Sequence, residues 1–178
     1  FEEYDARRAA YWALFAGAFG HTYGANGIFQ VWRVGMADRF GVRRPWDEAL
    51  DLPGAAQMRH VRALLESRPF LGRIPDQALL VGGAGDGAEH RRATRDEAGG
   101  YALIYSPTGG TVTADLGLLA GGEVAAHWFD PRTGGASPAG HWPTGGHRAF
   151  TAPSSGPGED WVLVLDDASR GYGVPGQG

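Results

Sequence analysis

Residues Asp5–Gly24 have the sequence DARRAAYWALFAGAFGHTYG, in which a helical pattern of apolar side chains passes directly into a short apolar segment. We predict a helix followed by a strand over Phe19–Tyr23. The polar side chains of His21, Thr22 and Tyr23 then lie at the end of that strand, where α/β barrels build their ligand sites. One helix and one strand are a single unit of such a barrel. We therefore expect this chain to hold the final part of a longer catalytic domain.

The composition excludes several classes of protein. The chain has 178 residues, 43% of them hydrophobic and 11% aromatic, which is typical of a globular protein. The formal net charge of −4 gives no long-range attraction to nucleic acid or to an acidic membrane face, so we expect neither partner. The absence of cysteine excludes disulfides and zinc–thiolate sites. We expect no cofactor, and the oligomeric state stays open.

Two further helices are predicted in the first 72 residues. Pro45 suits the first turn of a short helix that continues to Leu50. A longer helix is predicted to open at Asp51-Leu52-Pro53, and it ends at Ser67–Arg68 because Pro69 disfavours helical geometry in the residue before it.

Beyond residue 72 the apolar pattern changes from a helical to a strand period. The predicted strands are Gln77–Val81, Tyr101–Ser106, Thr111–Leu116, Glu123–Phe129 and Trp161–Leu165. The second and third of these are predicted to form a hairpin around Pro107–Gly110. The glycine-rich stretch Gly82–Gly100 is predicted to be a mobile loop, and Asp130–Gly134 a turn. Trp161–Leu165 is apolar at every position, which favours a central strand.

These elements predict an α+β multidomain chain. Residues 1–72 are predicted to be the carboxy-terminal part of a (β/α)8 barrel, residues 73–170 an antiparallel β-sandwich, and residues 171–178 a flexible tail.

The best candidates for a binding site follow the first helix. His21 and Tyr23 stand at the predicted strand end, and Asn26 and Gln30 in the next loop supply hydrogen-bonding groups that suit a sugar. Trp32 offers an aromatic face for stacking on a sugar ring. An equally open interpretation is that His21 and Tyr23 are a core histidine and a packing tyrosine, and that Trp32 anchors the loop.

The acidic and histidine residues give weaker signals. Glycoside hydrolysis needs two carboxyl groups, and Glu2 and Glu3 could supply them, but acidic residues at this position are more typical of a helix amino terminus. Asp166 and Asp167 are interpreted as a solvated strand edge. His141 and His147 flank a turn, and no two histidines have the spacing of a helical metal site, so we predict no metal.

Six segments of the sequence carry a family resemblance. The run RRAAYWALFAGAFGHTYG, followed by GIFQVW and LPGAAQMRHVRALLESRPF, resembles the carboxy-terminal end of apiosidase-like glycoside hydrolases, which are (β/α)8-barrel enzymes of bacterial polysaccharide breakdown. The segments YALIYSPTGGTVTADL, VAAHWFDPRTGG and DWVLVLDD resemble the small β-sandwich attached to those barrels, often labelled a collagen-binding domain of a collagenase.

The resemblance implies a retaining glycoside hydrolase that acts on side chains of plant-type or other complex polysaccharides. It implies that the two catalytic carboxylates lie upstream, so no catalytic residue is assigned in this chain and the fragment alone is expected to be inactive. His21 and Tyr23 match the family motif and are implied to line the sugar pocket. A secreted or periplasmic location is likewise implied only by the resemblance.

Two other functions remain open from the sequence. In one, the β-sandwich is a non-catalytic module that binds glycan or a collagen-like matrix protein, and the helices merely cap it. In the other, it is a purely structural domain that shields the barrel.

Overall fold

A computed structural model of the chain describes residues 2–37 and 40–177. It is a mixed α and β fold in which helices occupy the first 72 residues and antiparallel strands the remainder, as the sequence predicts at this coarse level. The helices are α1 (Glu3–Phe15), α2 (Asn26–Phe29), α3 (Trp46–Ala49) and α4 (Pro53–Glu66). Within the two described ranges, no helix is long and apolar enough to cross a membrane.

The two long helices follow their sequence patterns closely. Asp5 lies inside the first turn of α1, where its carboxylate accepts a hydrogen bond of 3.0 Å from the backbone N–H of Glu2. This contact satisfies one of the free N–H groups at the helix start. Pro53 occupies the first turn of α4, and the helix ends one residue before Ser67. The sequence therefore predicts both helices, and their observed ends differ from the predicted ones by only a few residues.

The strand predicted over Phe19–Tyr23 is wrong. Residues 18–25 run as irregular chain between α1 and α2. A strand requires a neighbouring strand to accept and donate its backbone hydrogen bonds, and no described residue pairs with this segment. The apolar pattern shows that this segment could lie in a sheet, but it does not show whether another strand is available to pair with it.

Eight strands form two antiparallel sheets. The strands are β1 (Arg73–Pro75), β2 (Arg92–Asp96), β3 (Tyr101–Ser106), β4 (Gly109–Asp115), β5 (Glu123–Phe129), β6 (Ala136–Pro143), β7 (His147–Ser155) and β8 (Trp161–Asp167). Six of them form one sheet in the order β1-β2-β3-β8-β5-β6, and β4 pairs with β7 in a separate two-stranded sheet. The predicted central strand is confirmed, since β8 pairs with β3 on one side and β5 on the other.

The predicted hairpin between β3 and β4 is wrong. Both strands form and a turn joins them at residues 107–108, but β3 pairs with β2 and β8 while β4 pairs with β7. The turn carries the chain from one sheet to the other. Gly109 permits this crossing, because its φ is +62° and a Cβ there would lie 2.1 Å from the carbonyl oxygen of Ser154.

Three further predictions need correction. Residues Gln77–Leu79 form a 3₁₀ helix instead of a strand, opened by Asp76, whose carboxylate accepts from the N–H of Ala78. The predicted loop over Gly82–Gly100 contains β2, which is held between β1 and β3. The predicted flexible tail is packed, since Pro175 is buried and Gly176 lies against the ring of Phe129.

The six-stranded sheet is covered on both faces. On one face, apolar side chains of β5 and β8 pack with those of β4 and β7, and Ala126, Phe150 and Leu163 belong to this core. On the other face, α1 and α4 pack against Tyr105 and Val164 among others. Every residue of β8 is buried, which explains its continuous apolar run.

Candidate functional site

The candidate segment, residues 21–30, follows α1 and includes α2. Tyr23 is half-buried, and its ring rests where the first turns of α1 and α4 cross. A Cβ placed on Gly54 would lie 3.2 Å from Cε2 of Tyr23, 3.4 Å from Cα of Glu3 and 3.5 Å from Cβ of Ala6. Glycine at position 54 therefore lets the ring seat against both helices. This burial raises the pKa of Tyr23.

Asn26 and Gln30 are brought together by one helical turn. The backbone N–H of Gln30 donates to the carbonyl oxygen of Asn26 at 3.0 Å. The Asn26 amide nitrogen Nδ2 donates to the carbonyl oxygen of Phe40 at 3.0 Å, which ties the segment to the loop that follows it. The Asn26 carbonyl oxygen Oδ1 can still accept a hydrogen bond.

Trp32 anchors its loop, in keeping with one of the two interpretations of the sequence. Its indole Nε1–H donates to the carbonyl oxygen of Met36 at 3.3 Å, and its backbone N–H donates to that of Gly27 at 2.9 Å. The side chain is half-buried.

His21 is exposed, so it is not a core histidine. Large apolar side chains surround it in the sequence and are exposed as well: Phe19, Phe29, Val34, Met36 and Phe40 are each more than half exposed. A contiguous stretch of exposed apolar side chains typically marks a surface that contacts another protein layer or a ligand. Along residues 19–40, exposed polar and exposed apolar side chains therefore alternate in the sequence.

Glu2, the acidic residue before α1, makes an exposed contact with a loop arginine. Glu2 lies 3.9 Å from Arg43, and both side chains are more than 70% exposed, so this contact is weak. Among residues 2–37 and 40–177, no three histidine or acidic side chains are close enough to hold a metal ion. The described residues of this segment offer hydrogen bonds and aromatic contacts to a ligand, which is the chemistry of binding.

Asp166 and Asp167 are not a solvated edge. Both are buried at the end of β8, where Asp166 receives two hydrogen bonds from Arg68, at 3.0 and 2.6 Å. The expectation failed because a carboxylate after an apolar strand is often exposed, but here a distant arginine neutralises it.

A second buried ion pair joins α1 to the start of β8 and was not predicted. Arg7 of α1 pairs with Asp160 just before β8, at 2.7 Å between Nη2 and Oδ1. A sequence signal existed for each partner, since Arg7 interrupts the apolar face of α1 and Asp160 precedes an apolar strand. Neither signal says which residue 153 positions away is the partner.

Comparison with known proteins identifies both halves of the chain. Residues 74–166 match the family described as "Putative collagen-binding domain of a collagenase", and residues 1–72 match the family described as "Apiosidase-like, catalytic domain". No curated protein matches the chain.

Solved structures with the same fold are glycoside hydrolases. One, described as a glycoside hydrolase, is 35% identical with a TM-score of 0.89, covering 95% of this chain and 38% of that one. Another, a glycoside hydrolase family 5 protein from Bacteroides vulgatus ATCC 8482, is 34% identical with a TM-score of 0.88, covering 94% of this chain and 36% of that one. The chain thus spans little more than a third of the length of either protein.

With TM-scores near 0.9 and about a third of the residues identical, the chain is similar in fold and sequence to a part of each of these two glycoside hydrolases. The chain belongs to the family described as "Putative collagen-binding domain of a collagenase", whose match takes in more than half of its residues, and its first 72 residues are similar to an apiosidase-like catalytic domain.

Proposed function

We propose that this chain acts as the carboxy-terminal part of a polysaccharide-degrading glycoside hydrolase. In this proposal residues 1–72 complete a (β/α)8 barrel, and His21, Tyr23, Asn26 and Gln30 form one wall of its sugar pocket. The observation that carries the proposal is the candidate segment itself. Its polar side chains alternate in the sequence with exposed apolar side chains, within the part of the chain that matches an apiosidase-like catalytic domain.

The chemistry of the wall is binding. Neutral imidazole, phenol and amide groups donate and accept hydrogen bonds to sugar hydroxyls, and the face of an aromatic ring packs on the apolar face of a sugar. The exposed side chains of Phe19, Phe29 and Phe40 suit a contact with further barrel units of the same enzyme.

The proposal extends to the intact enzyme. The acid/base and nucleophilic carboxylates of a retaining mechanism would come from other barrel strands, and the substrate would be a side chain of a complex polysaccharide. A secreted or periplasmic location accords with such a substrate.

A role in binding collagen is the alternative function, and it rests on the family description alone. The outward side of β4 and β7 carries Thr111, Thr113, Ala149 and Thr151, which are small side chains. Protein-binding surfaces typically use large aromatic or arginine anchors. The opposite face of the larger sheet is occupied by α1 and α4. We therefore favour a structural role for the β region.

Titration of the 178-residue chain with pectic oligosaccharides, followed by ¹H–¹⁵N NMR, tests the proposal. We expect shifts at the backbone amides of residues 21–30, and their loss in His21→Ala and Tyr23→Ala. His147→Ala is the matched control, because His147 is also an exposed histidine but lies on β7, in the two-stranded sheet. A titration in which collagen, and no sugar, perturbs the spectrum would sink the proposal and favour the alternative.

A further inference from the structure

Arg7 joins three elements of the fold through its guanidinium group. Its Nε donates to both carboxylate oxygens of Asp160, at 3.2 and 3.0 Å, and its Nη2 donates to Oδ1 at 2.7 Å. Its Nη1 donates to Oε1 of Gln57 on α4 at 2.7 Å. Asp160 also accepts a hydrogen bond from the hydroxyl of Tyr105 at 3.2 Å. A continuous path of hydrogen bonds therefore runs from the sheet through α1 to α4.

The carboxylate at the start of this path is saturated and fully inaccessible. Asp160 has no exposed surface and Arg7 is 2% exposed. Burial raises the pKa of the Asp160 carboxyl, while the hydrogen bonds and charge of Arg7 oppose that rise. A buried arginine–carboxylate pair contributes little net stability but has strict geometry, because two forked groups must align. Such a pair is suited to fixing an orientation.

The path ends on α4 at Gln57, one helical turn after Gly54, the residue that Tyr23 approaches. Gln57 lies three residues after Gly54, and Arg7 follows Ala6, so the Arg7–Gln57 hydrogen bond crosses between α1 and α4 one turn below the place where the Tyr23 ring rests. Residues three apart on a helix share a face. The separation of the two helices at Gly54 therefore depends on the contact that Arg7 makes at Gln57.

A second buried ion pair at the opposite end of β8 provides an internal comparison. Arg68 pairs with Asp166 at 2.6 Å, and their side chains are 1% and 5% exposed. The other hydrogen bonds of Arg68 go to Ser67 and to the carbonyl oxygen of Gly173. This pair has the same chemistry and burial as the first, but none of its contacts reaches Tyr23 or the first turns of α1 and α4.

We propose that Asp160 of the β region is a positioning residue for Tyr23, acting through Arg7 and Gln57. The domain described as collagen-binding then helps to shape the sugar-binding wall of the barrel portion. This assignment rests on the proposed function only for the statement that Tyr23 contacts sugar. The mechanical link between Asp160 and Tyr23 does not depend on it.

The experiment uses the 178-residue chain labelled with 3-fluorotyrosine and observed by ¹⁹F NMR. Six tyrosines give six resonances, and the spectrum of Tyr23→Phe assigns the one from Tyr23. The variants are Asp160→Asn, which keeps the shape but removes the charge, and the matched control Asp166→Asn. Both lower the denaturation midpoint, because each leaves a buried arginine without its counter-charge. Stability alone therefore cannot separate the two roles.

We expect Asp160→Asn to shift or broaden the Tyr23 resonance by more than its linewidth, and Asp166→Asn to leave it in place. The assignment is overturned when both variants move the resonance equally, or when Asp160→Asn is folded and leaves it unchanged. If Asp160→Asn fails to fold, the Gln57→Leu variant is used in its place. It removes the Arg7–Gln57 hydrogen bond and leaves the Arg7–Asp160 ion pair intact. A shifted Tyr23 resonance in Gln57→Leu supports the link and an unshifted one overturns it.

A sugar titration on the same samples separates this inference from the proposed function. We expect Asp160→Asn to weaken oligosaccharide binding at least threefold, with no change in Asp166→Asn. A wild-type chain that binds no oligosaccharide contradicts the proposed function, while the ¹⁹F comparison still decides whether Asp160 positions Tyr23.

Discussion

We expect the turn at residues 130–134 to be held against α4 where Gly134 meets His60. The Gly134→Ala variant tests this. The N–H of Gly134 donates to the carbonyl oxygen of Asp130 at 2.8 Å, and the φ angle of Gly134 is +75°. A Cβ added there would lie 2.3 Å from Nδ1 and 2.8 Å from Cε1 of His60 on α4. An alanine at this position must therefore adopt a left-handed conformation and also displace the imidazole ring.

The two costs can be estimated separately. A left-handed conformation costs a residue with a Cβ roughly 1–2 kcal/mol. Overpacking against a neighbour costs roughly 1–3 kcal/mol more. We therefore expect Gly134→Ala to lower the free energy of unfolding by about 2–5 kcal/mol. Gly110→Ala is the matched control, since Gly110 has a φ of +76° and no atom within 4 Å of the added Cβ, so only the first cost applies.

Urea unfolding followed by tryptophan fluorescence measures both variants, and a double-mutant cycle with His60→Ala isolates the contact. Removing the imidazole relieves the clash, so the double variant should be more stable than the sum of the single effects by about 1–3 kcal/mol. Additive effects, with a coupling energy below about 0.5 kcal/mol, would refute the reasoning because the turn would then not rest on α4.

Three other predictions concern the core and the titrating groups. Leu163, fully buried at the centre of β8, should lose about 2–5 kcal/mol of stability on substitution by alanine, measured by urea unfolding; a loss below about 1 kcal/mol would contradict its central position. Burial lowers the pKa of His127 from its ordinary value of 6.5, so the unfolded chain binds more protons than the folded one. Stability should therefore fall as the pH drops through and below 6.5, and His127→Gln should flatten this dependence of the urea midpoint. Burial raises the pKa of Tyr101 to about 12, so absorbance titration should show one phenol ionising near that pH, which Tyr101→Phe removes.

The sequence predicts those parts of the fold that depend on local pattern. Val61 and Leu64 are buried on α4 as their spacing requires, and the uniform apolar run of β8 identifies a strand covered on both faces. Pairing between distant segments is not predicted by local pattern. The turn at 107–108 is visible in the sequence, but whether it joins partners or separates them depends on where β7 and β8 return.

The same distinction holds for the candidate site. His21 and Tyr23 stand out because polar groups end an apolar segment, and the structure places one on the surface and seats the other against two helices. The Arg7–Asp160 pair joins residues 153 positions apart. No local pattern contains that distance, so a network of this kind emerges only when the chain is folded.

The position of β8 has a consequence for how the molecule is made. β8, which lies between β3 and β5 in the larger sheet, is the last of the eight strands to be synthesised. The groups β1-β2-β3 and β5-β6 therefore remain unconnected until residues 161–167 are available to pair with them. Until then β3 and β5 each present an open, apolar edge to other nascent chains. Insertion of β8 therefore competes with aggregation, and a chain interrupted before residue 161 should accumulate as insoluble protein.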